Sequence, residues 1–403
     1  MRTIPILFSL LCVLMIAPLA AYDTLRFQKS AMRTAPGGDS LKLEVQLSYP
    51  DPQTIADKTL RRLLQHFVAP FVRAYHARNL TAEITENNDT AFARGEWYDA
   101  TEITPFSRTA YSVTFQSAQR GYSGGAHGYD TRTYTNLDPA TAAPITMHDL
   151  IAPDRFDRFE KIAERYYRRY FSIAPKTPLI ETGWFKNRFI LPQTFAITPA
   201  GLLMHYDSYE IKPYALGQTE YRIPWHALRG VIAPHSPFSA LCSGDRPLHA
   251  ALSDARLSLT LDARRVAANE AEITLAARGL RPIDKAWISL SFPQLTAHDI
   301  SLQTLQRQGR FRLHRYPAAS RISRRDHTPI RARYLLIEAE QAPFRKDATF
   351  RFTIRLHPPQ KLHELIIDLR AVYAAEGRKT DLPDFNGAVG QQGYRNERYF
   401  LGL

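Results

Sequence analysis

Gly121-Tyr122-Ser123-Gly124-Gly125-Ala126-His127-Gly128-Tyr129-Asp130 admits two readings, and the fold turns on which one holds. Read as Gly-x-Ser-x-Gly, it sets a nucleophilic serine on a strained turn, which requires a strand before Ser123 and a helix after it. The strand is present, because Tyr111, Val113 and Phe115 alternate with Ser112, Thr114 and Gln116 in the period of two of a half-buried strand. The helix is not. Tyr129-Asp130-Thr131-Arg132-Thr133-Tyr134-Thr135-Asn136 is rich in β-branched and aromatic residues, which favour a second strand. Strand, glycine-rich turn and strand make a β-hairpin, with glycines where the turn needs positive φ. Ser123 then belongs to a turn. The alternative, a serine hydrolase using Ser123 with His127 or His226, meets a geometric obstacle. Neighbours as close as Ser123 and His127 do not form a triad unless the turn folds back.

Working outward, Leu41, Leu43, Val45 and Leu47 alternate with polar residues and predict a strand with one polar face. Apolar residues from Ile55 through Leu63, Leu64, Phe67, Val68, Phe71 and Tyr75 recur at three and four. Pro52 to about Arg78 therefore reads as an amphipathic helix, kinked or broken at Pro70. Phe156, Phe159, Ile162, Ala163, Tyr166 and Tyr170 predict a second helix from Pro153 to Phe171. Strands are expected at Thr194–Ile197, Leu202–Tyr206 and Tyr221–Ile223. Together these elements describe an α+β unit, helices packed on an antiparallel sheet. Residues 234–248 turn to Pro, Ser, Gly and His and read as a linker. From 249 to 403 the sequence consists of short alternating runs divided by turn signals, among them Leu257 to Leu261, Phe350 to Leu356 and Leu365 to Tyr373. An all-β, immunoglobulin-like sandwich is expected there. The tail from Asp384 reads as an extended strand or loop.

Residues 1–21 carry Arg2 and then an apolar run from Ile4 to Ala21, and read as a secretory signal peptide. An uncleaved anchor is the alternative, because the run is near the length that spans a bilayer. A periplasmic or secreted location follows as the expectation. Cys12 lies inside this segment, which leaves Cys242 as the lone cysteine of the mature chain and no internal disulfide. The net charge of +13 draws the protein towards anionic surfaces. Nucleic acid fits the charge but not the export signal. The arginine runs at Arg165 to Arg169 and Arg321 to Arg325 read as solvated faces. Asn79-Leu80-Thr81 and Asn88-Asp89-Thr90 fit the glycan sequon, a pattern common by chance.

Several motifs in one order carry a resemblance. Tyr122 to His127, Thr133 to Asp138 and Ile145-Thr146-Met147-His148-Asp149-Leu150 resemble the RsiV-like domain family, DUF 3298. So do Phe195 to Leu202, Tyr209 to Gly217 and Ile223-Pro224-Trp225-His226-Ala227-Leu228. The resemblance implies an RsiV-like α+β domain over 111–233, with a companion α+β region over 22–110. It also implies an extracytoplasmic role, since the family's best-understood members are sensors that bind lysozyme through this domain and others accompany wall-modifying enzymes. This sequence shows neither the cytoplasmic sigma-binding segment nor the separate membrane anchor of those sensors, so an anti-sigma role is not expected. Animal lysozymes are basic, which sets long-range repulsion against that partner.

No chemistry stands out. His127, His148, His205 and His226 lack the clustered spacing of metal ligands, and Asp130, Asp138, Asp149, Asp207 and Glu210 fall on separate elements. No cofactor fingerprint occurs. His205 and Asp207 share one face of a strand, where they read as a surface pair. A binding site is the remaining expectation: Tyr209, Pro213 and Tyr214 in a Pro- and Gly-bounded loop, with Ser123, His127 and Tyr129 of the hairpin. Against it stands the reading of Tyr209 and Tyr214 as plugs of a sheet edge. The sequence thus predicts a non-catalytic envelope protein that binds a cell-wall polymer or a wall-acting protein. A structural assembly role is the third reading.

Overall fold

The computed structural model describes residues 22–34, 40–86, 95–243, 247–253, 257–267, 270–279, 285–292, 300–308, 312–315, 319–322, 329–332, 335–341, 348–356, 363–374 and 395–402. The signal-peptide segment, Cys12, the sequon at Asn88, and Arg324 with Arg325 lie outside the described residues.

The Gly121–Asp130 stretch is a hairpin turn. It joins two strands of a five-stranded sheet ordered β1 (Thr24–Thr34), β2 (Ser40–Pro50), β3 (Gly95–Arg108), β4 (Val113–Tyr122) and β5 (Tyr129–Leu137). The chain runs from Ser123 into β5 and not into the helix that a nucleophile elbow requires. Gly121 is demanded by its neighbour, because a Cβ there would stand 2.3 Å from the Tyr129 ring. All pairs in this sheet are antiparallel except β2 with β3, which run parallel. That pairing needs a crossover, and α1 (Lys58–Ala77) and α2 (Leu80–Glu86) supply it. The first helix begins later than expected. Pro52–Thr54 is a separate 3₁₀ turn, and Asp57 caps α1 by accepting from the Leu60 amide at 2.9 Å. Pro70 lies inside α1 without ending it. Leu63, Leu64 and Val68 of α1 pack against Leu43, Val45 and Phe115. The sheet takes strands from both sides of residue 110, so the hairpin is bonded to the N-terminal region.

The second layer is built on α4 (Phe156–Tyr170), which follows the one-turn α3 (Met147–Leu150) and a 3₁₀ turn at Pro153–Arg155. It covers a three-stranded sheet of β6 (Thr194–Thr198), β7 (Gly201–Tyr206) and β8 (Thr219–Ile223), with β7 central. Every residue of β7 is buried. The period of two divides them: Leu202, Met204 and Tyr206 join the core under α4, while Leu203 packs with Tyr134 and Ala196 towards β5. Asn136, buried on β5, joins the two sheets. Its Oδ1 accepts from the Ile197 amide and the Thr114 hydroxyl, each at 2.8 Å, and its Nδ2 donates to the Phe195 carbonyl at 2.9 Å.

Residues 237–242 form a 3₁₀ turn that buries Phe238, Leu241 and Cys242, so part of the expected linker belongs to the core. Beyond it lies a sandwich-like pair of five-stranded sheets. The strands are β9 (Leu248–Ser253), β10 (Leu257–Ala267), β11 (Glu270–Gly279), β12 (Lys285–Ser291), β13 (Ile300–Gln308), β14 (Arg312–Arg315), β15 (Ala319–Ile322), β16 (Pro329–Ala332), β17 (Leu335–Gln341), β18 (Ala348–Leu356), β19 (Glu364–Ala374) and β20 (Arg395–Gly402). One sheet runs β13-β18-β11-β10-β9 and the other β14-β17-β12-β19-β20, while β15 and β16 pair apart. Every residue from Glu364 to Leu369 is buried, and Ile366 and Phe400 enter the core of the α4 layer. The whole is α+β with antiparallel sheets predominating. Among the described residues no helix is long and apolar enough to cross a membrane.

Candidate functional site

The two loops singled out in the sequence meet. The His127 ring stacks on Tyr214 with centroids 4.0 Å apart and planes 14° apart, and Tyr209 lies 5.7 Å from both. The Tyr209 hydroxyl is 3.2 Å from His127 Nε2, and His127 Nδ1 is 2.9 Å from the Gly128 carbonyl. Tyr209 is 54% exposed and has φ +70°, a left-handed conformation that costs an aromatic residue of order 1 kcal/mol or more. Such strain persists only where the surroundings fix it.

They do so through a polar network under the loop. His205 stands directly across from Glu220 on β8, and its Nδ1 donates to Glu220 Oε1 at 2.9 Å. Its Nε2 donates to Asp207 Oδ1, also at 2.9 Å. Donation from both nitrogens makes the ring an imidazolium. Asp207 Oδ1 also accepts from the Arg132 amide at 2.8 Å, and Glu220 Oε1 accepts from the Arg132 guanidinium and the Tyr134 hydroxyl, each at 3.0 Å. Glu210 turns back, its Oε2 accepting from the Asp207 amide at 3.0 Å. Burial opposes charge on His205 and Glu220, but their bonds to each other and to Asp207 and Arg132 outweigh it. The His205 imidazole is raised above its ordinary 6.5, and the Glu220 carboxyl is lowered from 4.5 to about 2. His205 and Asp207 are thus joined as the strand period indicates, but the histidine is fully buried, not at the surface.

Stability should follow these shifts. The Glu220 contribution is complete above 4.5 and is lost as pH falls towards 2. The His205 contribution is complete below 6.5 and is lost as pH rises through the raised value. Both act together between 4.5 and 6.5, so urea midpoints are expected to peak there. His205→Gln should flatten the alkaline limb, and an unchanged alkaline limb would dissociate His205 from it.

The six expected site residues divide. His127, Tyr209 and Tyr214 form the cluster, and Pro213 precedes Tyr214, its carbonyl accepting from the Leu216 amide at 2.9 Å. Ser123 is exposed at the turn. Tyr129 turns away across Gly121, where burial and the Asp99 carboxylate push its hydroxyl up to about 12. His226 lies elsewhere, with Nε2 2.5 Å from Glu364 Oε1. That carboxylate also accepts from the Tyr166 hydroxyl at 2.6 Å and pairs with Arg169. Burial pushes the Glu364 carboxyl up, but His226 and Arg169 hold it below its ordinary value. Arg168 pairs with Glu164, so the run at Arg165 to Arg169 is in part structural and not simply a solvated face. The sequence reading missed Glu220, Arg132 and Gln218. Gln218, just before β8, donates from Nε2 to the Asp130 carbonyl at 2.9 Å and to Asp207 Oδ1 at 3.3 Å, and none of the three carries a local signal that sets it apart from an ordinary polar residue. Among the described residues no cluster of His, Cys, Asp or Glu could hold a metal ion.

An α+β domain with two convergent aromatic loops is the class these features define. Residues 148–226 match the family model described as a protein of unknown function, DUF3298, and the chain carries a domain of that family. The match covers α3 to β8 and the Tyr209–Gly217 loop, while the hairpin lies before it. A DUF3298 family member from Bacteroides fragilis NCTC 9343 aligns over 56% of this chain and 98% of its own, at 18% identity and a TM-score of 0.42. One from Pseudomonas aeruginosa PAO1 aligns over 54% and 96%, at 20% identity and 0.39. The collagen-binding domain of a Staphylococcus aureus adhesin aligns over 38% and 100%, at 12% identity and 0.22. No curated protein matches the chain.

Proposed function

We propose that the protein is an exported, non-catalytic binding protein of the cell envelope. Its recognition site is the His127–Tyr209–Tyr214 cluster, and its ligand is a cell-wall component or a wall-acting protein. The assembled cluster carries this reading. Three rings from two separate loops stand together at the surface, one of them strained, over a network that fixes the loop. Rigid aromatics offer large contact area at low entropy cost, and side chains of this kind supply most of the energy at protein interfaces. The +13 charge favours an acidic or polymeric partner over a basic one.

Retention on purified peptidoglycan and on immobilised lysozyme, at low and physiological salt, tests the reading. One ligand should retain the protein at physiological salt. Tyr214→Ala should weaken that binding by about 30-fold or more, the scale of an anchor residue, while thermal stability stays nearly unchanged. Loss of stability in step with binding would make Tyr214 a packing residue. Binding to every anionic matrix that disappears with salt would reduce the interaction to charge.

A further inference from the structure

The connection from α4 to β6 sets an exposed apolar residue after each of three buried ones. Leu179, Trp184 and Phe189 enter the core, and the residues that follow them, Ile180, Phe185 and Ile190, are 55%, 49% and 42% exposed. Leu216, 45% exposed, lies beside them: a Cβ on Gly183, where φ is +93°, would stand 2.6 Å from Leu216 Cδ1. The first residue of each pair packs in the core, while the second leaves a large apolar side chain in water, a hydration cost that insertion into an apolar layer would relieve. Their backing is rigid. Trp184 Nε1 donates to the Tyr167 hydroxyl at 2.7 Å, the Leu179 amide to Asn187 Oδ1 at 2.7 Å, and the Phe185 amide to the Ile211 carbonyl at 2.9 Å.

The charges on the same connection are unequal. Lys176, Lys186 and Arg188 are exposed, with Glu181 as the one acid among them. Arg188 lines a groove with Asp157, Glu160, Lys161, Glu164 and Arg168 of α4, where acids and bases balance, which leaves Lys176 and Lys186 as the cations of the connection outside that groove. The acids of the adjoining loop, Asp207 and Glu210, are turned inward onto His205 and backbone amides. We propose that this face docks on an anionic phospholipid bilayer. Ile180, Phe185, Ile190 and Leu216 enter the acyl boundary while Lys176 and Lys186 meet lipid phosphates. A bilayer suits these residues better than a protein groove. They stand singly along a turn-rich connection, not in the ridge of one helix or strand, and a fluid acyl layer needs no matching shape. Leu216 shares the Tyr214–Leu216 turn with the cluster, but Ile180, Phe185, Ile190 and both lysines lie on the separate α4–β6 connection, so substitutions there test this face without altering a residue of the cluster.

Co-sedimentation of the chain from Tyr22 onward, which holds every described residue, tests the proposal without the apolar run at Ile4–Ala21. Vesicles of phosphatidylglycerol with phosphatidylethanolamine are compared with vesicles of phosphatidylcholine. The protein should partition onto the anionic vesicles and far less onto the neutral ones. Phe185→Ser with Ile190→Ser should lower the partition coefficient at least about ten-fold. Lys176→Gln with Lys186→Gln should lower it roughly thirty-fold at low salt. Both pairs are exposed, so melting temperatures should stay within a few degrees of the parent, and His127→Ala, on the hairpin, should partition as the parent does. Absence of partition, partition that survives both double substitutions, or a face that captures a protein and no vesicle would each overturn it.

Discussion

Arg398→Ala is expected to lower the unfolding free energy by about 3–5 kcal/mol, the cost of breaking a buried ion pair from one side. The guanidinium of this β20 residue acts on two partners. Its Nε and Nη2 donate to the two carboxylate oxygens of Asp368 on β19, at 2.6 and 2.9 Å. Its Nη1 donates to the carbonyls of Arg169 and Tyr170, at 2.9 and 2.8 Å, where α4 ends and its last carbonyls lack helical partners. Alanine leaves the Asp368 carboxylate buried and unpaired and uncaps the helix. Arg398→Lys should recover only part of the loss, because an ammonium cannot reproduce the two-pronged contact and reach the helix end as well. Asp368→Leu with Arg398→Met should recover most of it, since apolar replacements of both partners leave no charge stranded. Urea unfolding followed by tryptophan fluorescence reads all of these. A loss below about 1 kcal/mol for Arg398→Ala would show that water already reaches the pair.

Asn136→Ala should cost about 2–6 kcal/mol, because each buried backbone group left without its partner costs about 1–3 kcal/mol. Thr114 keeps a second acceptor in the Ile197 carbonyl at 3.1 Å, so the loss falls on two groups, the Ile197 amide and the Phe195 carbonyl. Asn136→Asp should fare no better, because it keeps the acceptor, loses the donor and buries a charge. The Ile197 amide should exchange with deuterium markedly faster in the alanine variant. Unchanged protection there would mean that water replaces the side chain. The Tyr209 loop should loosen as well, because the Arg132 amide that holds Asp207 lies on the same strand as Asn136.

What the sequence discloses depends on the range of the interaction. The hairpin at Ser123 was legible because glycine in a turn and β-branched residues after it are local signals. So was α4, whose stripe at three and four became its buried face, although Tyr167 was left out of that stripe and proves central to the core. The beginning of α1 was misplaced because Pro52 and Asp57 both resemble helix starts and only Asp57 acts as the cap. The parallel pairing of β2 with β3 left no trace, since strand partners are chosen across the crossover helices. The aromatic loops were each visible, but not their meeting, which depends on the placement of β5 against β6 through Asn136. Glu220 carried no local signal that singled it out. Its importance comes from standing opposite His205, a matter of register between strands.

The contact between Tyr166 and Glu364 joins residues 198 positions apart, and that between Tyr170 and Arg398 spans 228. A ribosome making the chain from its N-terminus therefore completes α4 long before either strand that covers it exists. Until β19 and β20 emerge, Tyr166 lacks its acceptor, Arg169 lacks its counterion, and the apolar seat of Phe400 faces water. Closing so long a loop delays the reward of these contacts until late in folding. The last strands thus act as a latch on a layer formed much earlier, and the waiting intermediate is the form most open to proteolysis and to aggregation.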